Sequence, residues 1–143
     1  MKSIIGRTLA MATVCVTMFS FLPKPGGEGF EISLNNKVVI QQYGSDMNNL
    51  KSLQLNQVSP DEKLTIRYHH CGKIGRNRVV TIKDEQNKLL KEFHYDDPST
   101  PVGAMSLPVK DIRRLKKGST ATFRLYYSSS ELPVGRILAT ILI

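Results

Sequence analysis

The chain has 143 residues, 20 of them basic and 12 acidic, for a net charge of +8. That length supports one sizeable core and excludes two ordinary domains. Two cysteines, Cys15 and Cys71, exclude a disulfide-dense scaffold.

Lys2 and Arg7 head an uncharged run of 15 residues from Thr8 to Leu22, broken by Pro23, Lys24, Pro25, Gly26 and Gly27. This is the layout of a secretory signal peptide. A membrane-spanning helix needs about 20 apolar residues, and Thr8, Thr13, Thr17 and Ser20 dilute this shorter run. Residues 1–22 are therefore expected to be a cleaved signal and 23–28 a flexible linker. Residues 29–143 are expected to form a single domain, exported to the periplasm or the medium and not membrane-spanning once the signal is gone. Ser20 is a candidate for the last residue removed. Cys15 follows Val14 with further apolar residues behind it, which does not fit a lipidated cysteine. Cleavage removes Cys15 and leaves Cys71 without an internal partner.

Lys2 and Arg7 belong to the leader, so the mature part keeps 18 basic residues against all 12 acidic ones, a net +6. Such a balance favours anionic surfaces. Nucleic acid is excluded as a partner, because no basic run alternates with aromatic stacking platforms.

Period-two alternation dominates from Gly29 onward and predicts strands. Phe30, Ile32 and Leu34 alternate with polar residues, Asn35-Asn36 supplies a tight hairpin, and Val38 and Ile40 continue beyond it. Tyr43 to Asn49 is turn-rich, and Leu53 and Leu55 make a short strand. In Lys63 to His70, Leu64, Ile66, Tyr68 and His70 share one face, while Thr65, Arg67, His69 and Cys71 share the other. Gly72 to Asn77 is a loop. Val80 and Ile82 point inward from the next strand, Asp84 to Asn87 turns the chain, and Lys88 to Tyr95 returns. Leu107 lies in a short extended piece. Val109, Ile112 and Leu115, closed by Lys116, Lys117 and Gly118, predict at most two helical turns. Ala121, Phe123, Leu125 and Tyr127 alternate again, and Ile137 to Ile143 is apolar on both faces, as in an interior strand.

Eight or nine short strands with one helical turn predict an all-β fold, an antiparallel β-sandwich, with a small closed β-barrel as the alternative. The expected core is Phe30, Ile32, Leu34, Val38, Ile40, Leu64, Ile66, Tyr68, Val80, Ile82, Phe93, Phe123, Leu125, Ile137, Ala139 and Ile141.

His69 and Cys71 share a strand face with Cβ atoms about 7 Å apart, close enough to chelate one ion, and His94 would be the third ligand. Imidazole and thiolate suit zinc or copper. The competing reading is a half-buried free thiol beside histidines bonded to backbone. Asp96-Asp97 reads as a turn that caps its own amides, and Ser128 to Glu131 as a polar hairpin loop without a nucleophile elbow. Candidate anion-binding residues fall in two groups. Lys73, Arg76 and Arg78 lie in one loop; Arg113, Arg114, Lys116 and Lys117 lie in the helical turn. With no credible nucleophile or acid–base pair, the expected function is a non-catalytic, cofactor-free exported module. It would bind a protein, a glycan or an anionic surface through loops at one end. The competing class is a metal- or thiol-dependent protein using His69, Cys71 and His94.

Overall fold

The computed structural model describes residues 27–143. The expected signal peptide, with Cys15 and Ser20, and most of the linker lie outside the described residues.

Nine strands form: β1 (Glu28–Leu34), β2 (Lys37–Tyr43), β3 (Lys51–Gln54), β4 (Lys63–His70), β5 (Arg78–Lys83), β6 (Leu89–Tyr95), β7 (Met105–Pro108), β8 (Thr122–Ser129) and β9 (Leu132–Leu142). A 3-10 turn occupies Gly44–Asn48, and one short helix, α1, spans Val109–Arg113. The all-β expectation holds. Among the described residues, no helix is long and apolar enough to cross a membrane.

The strands make two sheets that bury a common core. The first has the order β2-β1-β4-β7 and the second β3-β9-β8-β5-β6. Asn35 and Asn36 both adopt positive φ, 51° and 67°, as a tight β1–β2 hairpin demands. One pairing departs from the antiparallel expectation: β3 runs parallel to β9, with Leu53 beside Ile141. A parallel pair needs no hairpin, so nothing in the local sequence announces it.

The core draws on both sheets, with Phe30, Ile32, Ile40, Leu64, Ile66 and Tyr68 facing Val80, Ile82, Phe123, Leu125, Tyr127, Ala139 and Ile141. A fully buried aliphatic side chain of this kind contributes about 1.5–3 kcal/mol. Val38 is a correction, at 47% exposed. Ile32 pairs with Ile40 but Ser33 with Val38, so Val39 is an extra residue in a β-bulge, which breaks the alternation and turns Val38 out. Leu34, Phe93 and Ile137 are only half-buried. Leu34 ends its strand, Phe93 lies on edge strand β6, and Ile137 adjoins a second bulge at Leu138. That bulge buries Leu138 and Ala139 together. Met47, Leu53, Leu55, Met105, Leu107 and Ile112 complete the core from turns and short strands. Gln42, itself buried, donates to the carbonyls of Asp46 (2.8 Å) and Asn49 (2.6 Å), which pins the 3-10 turn against β2.

Candidate functional site

The chemistry-bearing residues concentrate at the end of the two-sheet stack where β4 finishes. Period two carries β4 from Leu64 through Ile66 and Tyr68 to His70, so His70 enters the interior and is 9% exposed. Its Nε2 lies 2.7 Å from the Tyr127 hydroxyl of β8, in the facing sheet, and 3.4 Å from Ser129 Oγ. Tyr68 stacks on Tyr127 with ring centroids 4.4 Å apart. The Tyr68 hydroxyl donates to Glu28, the residue opposite His70 in the β1–β4 register. Arg136 of β9 approaches the same carboxylate at 3.5 Å.

The loop after β4 covers this cluster. A Cβ on Gly75 would sit 2.9 Å from both His70 Nε2 and the Tyr127 hydroxyl, so only glycine lets the backbone close over the pair. The same loop is tied to the β8–β9 hairpin. The Arg76 amide donates to Glu131 (2.9 Å), the Asn77 amide nitrogen Nδ2 to Ser130 (2.7 Å), and the Ser130 backbone amide to the Arg76 carbonyl (2.8 Å). Between loop and hairpin lies an open cleft of about 300 Å³ lined by Glu28, His70, Cys71, Lys73, Glu131 and Leu132.

Burial lowers the His70 pKa below its ordinary value; Glu131 and Glu28 pull it back up and Arg78 pushes it further down. Burial raises Tyr127, and raises Tyr68 further with the help of the Glu28 carboxylate that accepts its proton. Burial also pushes Tyr95, whose hydroxyl donates to the Ser106 carbonyl, up to about 12. For Glu131 slight burial acts upward, but the Arg76 amide, its own amide and the Ser129 hydroxyl outweigh it and hold the carboxyl below its usual range.

A histidine with a depressed folded pKa gives stability a definite pH dependence. Between the folded value and the unfolded value near 6.5, the unfolded chain binds more protons, so stability rises with pH. Stability is expected to fall as the pH drops below about 6.5 toward the folded value, and His70→Gln should flatten that slope. Urea midpoints measured from pH 8 to 5 on both proteins check it; parallel profiles would contradict it. Glu131 acts in a separate, more acid window, where stability is lost as its carboxylate protonates.

The expected metal set is not brought together. His69 is half-buried on the outer face of β4, edge-on to Tyr43 with centroids 5.5 Å apart. His94 is exposed on β6 of the other sheet, 3.2 Å from Glu92. Cys71 is exposed rather than half-buried, and its φ of +53° ends the strand alternation that would have aligned it with His69. Among the described residues, no three His, Cys, Asp or Glu side chains converge on one ion position. A thiol reagent is therefore expected to label Cys71 in the native protein without denaturant, and labelling only after unfolding would contradict this.

The two basic groups sit at opposite ends of β4, whose Lys63 end pairs with Pro108 just before α1. The eight residues of β4 separate them, and seven steps along a strand span about 23 Å. Several of these cations are committed to backbone. Arg78 is buried and donates to the carbonyls of Gly103 (2.9 Å) and Asp96 (2.7 Å). Arg113 Nη2 donates to the carbonyls of Leu55 (2.7 Å), Asn56 (3.1 Å) and Val58. Arg76 lies 3.6 Å from Asp97, and Arg114 lies 3.6 Å from Asp111. Lys73 and Lys117 are exposed; Lys116 is half-buried. His70 is the residue that sequence reasoning passed over. Its signal was its place on the Leu64, Ile66, Tyr68 face, where a polar ring must find a buried partner.

No protein-family model matches the chain, and no curated protein is significantly similar to it in sequence.

Proposed function

We propose that the protein is an exported, non-catalytic β-sandwich module that binds its partner through the cleft between the β4–β5 loop and the β8–β9 hairpin. The observation that carries this reading is the way the end of the stack is built. Loop and hairpin are held by three hydrogen bonds, and the buried His70 spends Nε2 on Tyr127 rather than on a reacting group. A loop fixed in this way loses little freedom on binding, which favours affinity. The cleft wall is mixed: the Glu28 and Glu131 carboxylates, the Lys73 cation and the apolar Leu132. It suits a polar partner with an exposed cationic group beside an apolar one.

Export is tested by sequencing the N-terminus of protein recovered from outside the cytoplasm, with a start between Ser20 and Gly29 expected. The cleft is tested by attaching a bulky maleimide to Cys71 and titrating a panel of short basic peptides. Binding to unlabelled protein that is lost on labelling is expected. Turnover of a model ester, glycoside or peptide, abolished by one side-chain change, would overturn the non-catalytic reading.

A further inference from the structure

The outer face of the second sheet carries a feature distinct from the end cleft. Ser52, Thr140, Arg124 and Lys83 stand opposite one another on the consecutive strands β3, β9, β8 and β5, and Leu89 of β6 continues the row. Each lies on the solvent side. Lys83 alternates with buried Ile82, and Arg124 is flanked by buried Phe123 and Leu125. Four strands at about 4.8 Å spacing make the polar part of the row about 14 Å long.

Lys83 and Arg124 are directly opposite in an antiparallel pair, an arrangement in which like charges repel. Among the described residues neither has a carboxylate within 4 Å, since the ion pairs there involve Arg76, His94, Arg114 and Arg136. The nearby acids are used otherwise: Glu92 faces His94, and Asp84 accepts the Lys88 amide. The Lys83 ammonium sits 4.6 Å from the centre of the ring of Tyr126, its diagonal neighbour on β8 two residues from Arg124, and this cation–π contact fixes the position of the ammonium. The Tyr126 hydroxyl is anchored in turn on Asn87 at 3.3 Å.

We propose that this row binds an acidic polysaccharide. An anionic group placed between Lys83 and Arg124 turns a repulsive pair into a two-point site. The Thr140 and Ser52 hydroxyls continue the line as partners for sugar hydroxyls. Half-exposed Leu89 offers an apolar contact to the C–H face of a ring at the other end. A lipid bilayer fits less well, because four of the five residues in the row are polar or charged and a single leucine is available to enter it. Tyr126 is a positioning residue.

The test is binding of the protein to dextran sulfate and polygalacturonate, with neutral dextran as the blank, at low and physiological salt. Retention by the polyanions that weakens as salt rises is expected. Lys83→Gln/Arg124→Gln should weaken it about tenfold or more, whereas Lys37→Gln/Lys63→Gln, which removes the same charge from exposed positions on the other sheet, should leave it within about twofold. Tyr126→Phe keeps the ring and should bind normally; Tyr126→Leu should bind less. Arg124→Gln alone relieves the repulsion, so its melting temperature should rise by about 1–4 °C while binding falls. That combination also shows that the variant folds. Equal loss in the two double variants, no retention by either polyanion at low salt, or Lys83- and Arg124-dependent binding to phosphatidylglycerol vesicles alone would each overturn the proposal.

Discussion

Arg113→Met is expected to cost about 2–4 kcal/mol of stability and to lower the melting temperature by roughly 10 °C. The side chain leaves α1 and places Nη2 among the carbonyls of Leu55, Asn56 and Val58, in the segment between β3 and β4. That segment has few backbone partners of its own. The Leu55 amide donates to the Leu142 carbonyl and the Val58 amide to the Leu55 carbonyl. Removing the guanidinium strips a shared donor from three acceptors at once, and bonds from a charged donor contribute about 1.5–3 kcal/mol each without being additive. Methionine preserves much of the stem, so the loss reports the head group and not the packing of its methylenes. Arg113→Lys should recover part of it, because an ammonium has donors but not the planar fork. Urea unfolding of the three proteins measures this directly, and a loss below about 0.5 kcal/mol for Met would show that the carbonyls are served by water.

Tyr127→Ala is expected to cost about 3–5 kcal/mol, as for other large aromatic truncations in a core. Tyr127 is fully buried and among the largest side chains that are. Tyr127→Phe isolates the hydroxyl. It keeps the stack on Tyr68 but leaves His70 Nε2 with only the long 3.4 Å contact to Ser129. About 1–3 kcal/mol should be lost, the usual cost of orphaning a buried polar group. Pairing that change with His70→Phe should restore a good part of it, since an apolar pair has nothing left unsatisfied. A thermodynamic cycle over the four proteins gives the coupling, and strict additivity would mean that the hydrogen bond contributes nothing net.

Much of the layout was legible along the chain, for reasons that lie in local physics. Asn35-Asn36 marks a hairpin because both residues tolerate the positive φ that they adopt. The alternation of Leu64, Ile66 and Tyr68 marks β4 because one face of that strand is dry. What was illegible depends on partners distant in sequence. The Val39 bulge exists only in the pairing of β2 with β1, so Val38 read as a core residue and is not one. Extending strand alternation one residue too far aligned Cys71 with His69, whereas the chain turns at Cys71 itself. Arg78 and Arg113 read as surface charge because their acceptors are carbonyls, which a sequence does not display. The Lys83–Arg124 pair was invisible for the same reason: the two residues lie far apart in sequence and meet only through the β5–β8 register.

The parallel seam between β3 and β9 has a consequence for the order in which the molecule assembles. Of the two sheets, the first can form early: β1, β2, β4 and β7 have all been synthesised before β8 begins. The second cannot. β3 is made early, yet its neighbour in the sheet is β9, and β9 must itself settle beside β8. On a ribosome adding roughly 5–20 residues per second, β3 waits on the order of ten seconds for that neighbour. Loop closure over such a span also belongs to the slow end of single-domain folding, milliseconds to seconds once the chain is whole. A chain interrupted after Ser129 would therefore expose β3 and the β9-facing side of β8 as unpaired edges, and should be captured by chaperones or proteases rather than persist as a smaller fold.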